Sequence, residues 1–179
     1  MNISPKPGHN RLLISLVVGA VVLVGVLILL SRAFGEGEVR EAKPAPSFKV
    51  RDMQGRVVKL ADFKDKALIV CFVATWDKHC QEQMTTLNSL IKVYSETNLA
   101  VLGLALDQTS AQTVKTYAEQ QHLGYPLYLA DYNTIMAFGG LTAIPTMFVI
   151  DKNQNIIQKY VGVTETNILS ADVTAILKQ

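Results

Sequence analysis

The sharpest chemistry-bearing residues of this chain are its two cysteines, Cys71 and Cys80. Two thiols are too few for a disulfide-stapled scaffold or a four-ligand zinc module, so any cysteine chemistry uses one thiol or one pair. Cys80 closes the run Trp76-Asp77-Lys78-His79-Cys80, where an apolar stretch gives way to helical spacing. A thiol about one turn into a helix feels the positive end of the helix dipole, which favours the thiolate, while the Asp77 carboxylate disfavours it. The two effects oppose each other, and the balance stays open at this level. Asp77 is also among the best N-cap residue types, able to accept from the free amides of a first helical turn. His79 is either a plain surface residue or a partner for Asp77. Cys71 lies inside an apolar run, where a cysteine usually acts as a small hydrophobe. A sharper alternative pairs it with Cys80 in one redox state, which needs Cα atoms within about 7 Å.

The remaining composition excludes more than it suggests. Lys plus Arg number 17 against 15 Asp plus Glu, a net charge of +2. That charge is scattered, with no basic run and no nucleic-acid motif, so no polyanionic partner is expected. No cofactor and no metal site are expected either, since His122 has no spacing that supports ligation.

The elements that must position these residues follow a strongly apolar N-terminal stretch. Leu12 to Leu30 is apolar apart from Ser15, and as a helix rising ~1.5 Å per residue it is long enough to cross the roughly 30 Å hydrocarbon layer. A cleaved secretory signal competes with this reading, because Ser31-Arg32-Ala33 offers small residues at the two positions a peptidase inspects. The length favours a retained anchor. Lys6 and Arg11 precede the span while Arg32, Arg40 and Lys43 follow it, so the lysine and arginine tally does not orient it. Either reading exports the C-terminal domain. The expected organisation is a short tail over 1–11, a transmembrane signal anchor over 12–30, a polar linker over 31–45 and one domain over 46–179.

Within that domain, Phe48 to Arg51 and Val57 to Leu60 flank a Gly-containing connection and predict a hairpin. Ala67 to Thr75 is a nearly continuous apolar run, as expected of a strand buried on both faces. From Cys80 onward, Met84, Leu87, Leu90, Ile91 and Tyr94 recur at helical spacing. Asn98 to Ala105 reads as a second buried strand, Ser110 to His122 as a helix stopping at Gly124, and Pro126 to Leu129 as a short strand. Asp131 can cap a short helix through Phe138. Thr146 to Ile150 and Ile156 to Val161 read as a second hairpin, before a last helix carrying Ile168, Leu169, Val173, Ile176 and Leu177. Strands alternating with helices indicate an α/β sandwich with a mixed central sheet.

The run Ala74-Thr75-Trp76-Asp77-Lys78-His79-Cys80 resembles the active-site turn of thioredoxin-like proteins, in which a tryptophan is followed at once by Cys-x-x-Cys. Asp77 stands where the first, attacking cysteine would be, and Cys80 where the second, resolving cysteine would be. Ala143 to Asp151 looks like the cis-proline strand of the same family, with Pro145 at its head. With the leading hairpin, the insertion between Ser110 and His122 and the membrane tether, the chain is similar to the TlpA-like branch of extracytoplasmic thiol-disulfide oxidoreductases, from about Ala45 to the end. The resemblance implies a thioredoxin-like three-layer sandwich preceded by one transmembrane helix in the cytoplasmic membrane, facing the periplasm. It implies a redoxin-type surface made by Trp76, Asp77, Lys78, His79 and Cys80, with a substrate groove at Ile144, Pro145 and Thr146. Cysteine-containing envelope proteins, or a redox partner protein, are the expected partners.

In the complete motif the first thiolate attacks a substrate disulfide and the second thiol resolves the mixed disulfide. A carboxylate cannot form a disulfide, so the two-cysteine cycle is closed to this turn. Exchange through the single thiol of Cys80, with Cys71 as a possible second thiol, is one expectation. A redox-inactive docking or chaperone-like domain that keeps the groove is another. The resemblance also places Cys71 where thioredoxins carry a buried acid, and His79 where disulfide isomerases carry a histidine that stabilises the first thiolate. A thiol peroxidase of the alkyl hydroperoxide reductase and thiol-specific antioxidant type is weaker, since its Thr-x-x-Cys threonine falls on Asp77 and no arginine follows Arg56. A copper-handling protein lacks its closely spaced Cys-x-x-x-Cys pair.

Overall fold

Seven consecutive apolar residues, Ala67–Val73, form strand β4, and every one of them is buried. A strand with no solvent face must be covered on both sides, and alternation of side chains divides the work. Leu68, Val70 and Phe72 enter one core layer, and Ile69, Cys71 and Val73 enter the other. The computed structural model describes residues 43–52 and 56–178. Expectations for the tail, the anchor and the linker up to residue 42 fall outside those residues. Among the described residues, no helix is long and apolar enough to cross a membrane.

In chain order the elements are β1 (Lys43–Pro44), β2 (Lys49–Arg51), β3 (Val57–Lys59), a short 3-10 turn (Leu60–Phe63), β4, α1 (Lys78–Val93), β5 (Leu99–Ala105), α2 (Ala111–Gln120), β6 (Leu127–Leu129), α3 (Tyr132–Ala137), β7 (Thr146–Ile150), β8 (Asn155–Val161) and α4 (Thr166–Leu177). The main sheet runs β1-β8-β7-β4-β5-β6, and β2 and β3 form a separate hairpin. It is mixed, as expected: β4 pairs in parallel with β5 and antiparallel with β7. On one face, Cys80, Met84, Leu87 and Leu90 of α1 and Leu169 and Val173 of α4 pack against Ile69, Cys71 and Val73. On the other face, Phe48 and Val50 of the hairpin region, with Phe138 and Phe148, cover Leu68, Val70 and Phe72.

Three elements depart from the expected boundaries. Lys43 and Pro44, read as linker, pair with Ile156 and Asn155 of β8, and the Ala45 amide donates to Gln154 at 2.8 Å. An outer strand edge offers unpaired backbone groups, and proline is tolerated there. β4 stops at Val73 instead of Thr75 because the Thr75 amide donates to the Asp107 carboxylate, not to a neighbouring strand. Helix α1 begins at Lys78, ahead of Cys80, because Asp77 caps it. Elsewhere the expected caps form: Asp131 accepts from the Thr134 amide at 2.6 Å, and Ser110 from the Thr113 amide at 3.1 Å.

An aromatic cluster fixes the second core layer. Phe138 lies 4.7 Å from Phe148 and 5.3 Å from Phe72, the latter pair close to edge-on at 71°. Truncating Phe72, which is wholly buried, removes an edge contact and leaves a cavity in an interior that cannot relax to fill it. Phe72→Ala is expected to lower unfolding free energy by about 3–5 kcal/mol, seen in urea titration as a lower midpoint with an unchanged slope.

Candidate functional site

The turn that carries Cys80 starts from the end of β4 and is held from three sides. The Thr75 amide donates to both carboxylate oxygens of Asp107, at 3.1 and 3.3 Å, and the Thr75 hydroxyl donates to the same carboxylate. Gln81 Nε2 donates to the Thr75 carbonyl at 2.8 Å. The Asp77 amide donates to Ala74 at 3.3 Å, and Asp77 Oδ1 accepts the Cys80 amide at 2.8 Å. The chain therefore bends from strand into helix at the expected residues. It leaves Trp76 72 % exposed, with Lys78 and His79 also on the surface.

Pairing register brings the proline loop to the same end of the sheet. Phe72 of β4 lies opposite Thr146 of β7, so Pro145, the preceding residue, lies level with the strand end from which the turn departs. The Ile144-Pro145 bond is cis. Ile144 packs on the core layer that contains Cys80. Pro145 and Thr146 are buried, and the Thr146 hydroxyl donates to Ala143 at 2.7 Å. Neither residue therefore offers an exposed side chain at this end of the sheet.

Electrostatics resolve the balance that the sequence left open. The Asp77 carboxyl is held below its ordinary range, first by the Cys80 amide, then by the Cys80 thiol, with His79 adding a smaller effect. The thiol moves the other way. Burial raises it most, Asp77 and then Asp107 raise it further, and a hydrogen bond involving the Ala74 backbone only partly opposes them, leaving it at about 12. Cys80 is also fully buried, and no ion pair joins His79 to Asp77 among the described residues.

Cys71 sits in mid-strand, fully buried in the same core layer as Cys80. Its thiol is raised well above its ordinary value by burial and then by the neighbouring Cys80. Both cysteines are free thiols. Among the described residues no group of three or more histidine, cysteine or acidic side chains could hold a metal ion.

Several residues that shape the site carry no distinctive spacing. Asp107 pins the turn from the end of β5, a sequence distance of 32 residues from Thr75. The lip facing the proline loop is Val161-Gly162-Val163: the Gly162 amide donates to the Pro145 carbonyl at 2.8 Å, and Val161 pairs with Thr146. Gly162 has φ +89°, a left-handed value that glycine accepts without strain. Val161 and Val163 are 53 % and 38 % exposed, so an apolar lip faces solvent beside the proline. A glycine after the last strand was the available hint, and it marks a turn without saying what the turn faces.

Residues 42–159 match the AhpC/TSA family. The chain belongs to that family. It is 31% identical over 155 residues to the thiol-disulfide oxidoreductase ResA of Bacillus thuringiensis subsp. konkukian, covering 86% of this chain and 89% of the relative. It is 31% identical over 126 residues to the thioredoxin-like protein YneN of Bacillus subtilis, covering 69% and 73%. Among solved structures, a thiol:disulfide interchange protein of the thioredoxin family from Chlorobium tepidum superposes with a TM-score of 0.68 at 32% identity, over 76% of this chain and 97% of that one. A DsbF homologue from Corynebacterium diphtheriae gives 0.67 at 20% identity over 79% and 89%, a likeness of fold alone. This AhpC/TSA member is thus a thioredoxin-like protein of the thiol-disulfide oxidoreductase type, matching the TlpA-like branch.

Two measurements follow from the site's electrostatics. Cys80 in the native chain is expected to resist iodoacetamide at pH 7 to 8 and to react only after unfolding. Asp77→Asn keeps a capping oxygen and removes only a lesser cause of the raised thiol, so its Cys80 is expected to stay equally resistant in the native state. Because the folded-state Asp77 carboxyl is depressed, its contribution to stability is present above its unfolded value of about 3.9 and is lost as pH falls through the folded value. The melting temperature of Asp77→Ala is therefore expected to lie below wild type at pH 7, with the gap narrowing as acid protonates the folded carboxyl.

Proposed function

We propose that this chain is a membrane-tethered, extracytoplasmic member of the thiol-disulfide machinery that docks extended, cysteine-containing segments of envelope proteins without running the two-cysteine exchange cycle. The observation that carries the reading is the carboxylate of Asp77 at the opening of α1. It accepts the Cys80 amide at the place where the resemblance puts an attacking thiolate. The helix end that would stabilise a sulfur anion is already occupied by an oxygen anion, and the remaining thiol is covered and protonated. The second support is what stays open: exposed Trp76 on one side of the cis-proline loop and the Val161–Val163 lip on the other. Exchange through Cys80 alone is the less favoured reading, because it must first uncover that thiol and then remove a proton held to about 12.

Tethering and export rest on the apolar run Leu12 to Leu30. The groove is suited to backbone pairing with an extended segment, with cysteine-flanking side chains resting on Trp76 and the valine lip. Trp76 is the only tryptophan in the chain, so its fluorescence reports on the groove directly.

The full-length wild type is expected to show no insulin disulfide reduction, while Asp77→Cys, which restores the two-cysteine spacing, gains it. A synthetic peptide of alternating valine and threonine around one S-methylcysteine is expected to quench Trp76 fluorescence equally in wild type and Cys80→Ser. Cys80-dependent insulin reduction by the wild type, or loss of peptide binding in Cys80→Ser, overturns the docking reading.

A further inference from the structure

Gln83 is a polar side chain with no exposed surface, placed one helical turn beyond Cys80 on α1. Its Oε1 accepts the Thr164 amide at 2.6 Å, while its Nε2 has no hydrogen-bond partner among the described residues. A buried amide nitrogen without a partner is destabilising, and an apolar side chain of the same length would avoid that cost. Retaining glutamine here therefore points to the acceptor oxygen as the group that matters.

The hydrogen bond lies on a continuous path across the groove. Thr164 is itself buried and follows the Val161-Gly162-Val163 lip. The Gly162 amide reaches the Pro145 carbonyl at 2.8 Å, and β7 carries Pro145 to the end of β4. The groove thus has two walls: the turn that opens α1, with Trp76 and Asp77, and the valine lip after β8. Gln83 joins them, because it belongs to α1 and holds the backbone of the lip. β8 by itself ends at Val161, and beyond that residue no strand pairing holds the lip in register.

We infer that Gln83 is a positioning residue that braces the Val161–Thr164 lip to α1 and so sets the width of the groove beside Pro145. This rests on the docking reading for its functional consequence, but not for its geometry. With the brace present, the lip presents its valines at a constant distance from Trp76, and a bound segment need not order it. Without the brace, the lip must be ordered at the moment of binding, and affinity falls.

The test uses the full-length chain with Gln83→Met, an unbranched apolar substitute of similar length, and Gln83→Glu, which keeps an acceptor oxygen. Amide hydrogen exchange and Trp76 titration with the S-methylcysteine peptide are measured on both. In Gln83→Met, exchange at Thr164 and Gly162 is expected to accelerate about tenfold while amides of β4 stay protected. Peptide affinity is expected to fall by about five- to tenfold, the loss of one hydrogen bond. Gln83→Glu is expected to restore protection at Thr164 and most of the affinity. Unchanged exchange at Thr164 in Gln83→Met, or an acceleration shared by β4, overturns the brace. A wild type that fails to bind the peptide overturns the docking reading, and the exchange data then judge the brace alone.

Discussion

The constraint on which the rest depends is the double-sided burial of β4. A strand with no wet face must find partners along both edges and a layer over each face, and it has them in β5, β7, α1 with α4, and the phenylalanine cluster. Pairing with β7 in an antiparallel register places the head of β7 at the tail of β4. A turn and a proline loop far apart in the chain therefore meet at one end of the sheet. Slipping this register by one residue would turn Phe72 and Cys71 into each other's layers. The site is a consequence of core packing before it is a matter of chemistry.

The helix opening is occupied by the Asp77 carboxylate. Backbone amides at the start of a helix stabilise a single negative group well, and Asp77 has taken that place by accepting the Cys80 amide. Its charge then works against a second anion on the adjacent thiol, and Asp107, needed to hold Thr75, adds to the same field. Burial keeps the sulfur protonated, and the two carboxylates that stabilise the turn act in the same direction. The family's relatives are thiol-disulfide oxidoreductases; in this chain the same scaffold holds a turn whose burial and charges oppose thiolate formation, while Trp76, Val161 and Val163 stay exposed.

The proline loop, the Val161–Thr164 segment and α1 come from distant parts of the chain and are linked through main-chain amides. Gly162 to Pro145 and Thr164 to Gln83 are single hydrogen bonds to main-chain amides, so the side chains of the lip remain outward.

Local sequence by itself determined the alternation of strands and helices, the buried character of β4 and β5, and the capping role of Asp77, because these depend on local spacing and on short-range hydrogen bonds. The turn around Cys80 was legible for the same reason. The pairing of Lys43–Pro44 with β8, Asp107 beneath Thr75, the Val161–Val163 lip and the Gln83 contact were decided only by tertiary structure. Each joins groups separated by long stretches of chain, and no spacing rule records such a distance. The ionisation of Cys80 belongs with them: helix end and carboxylate oppose each other locally, and burial in the assembled core settles the outcome.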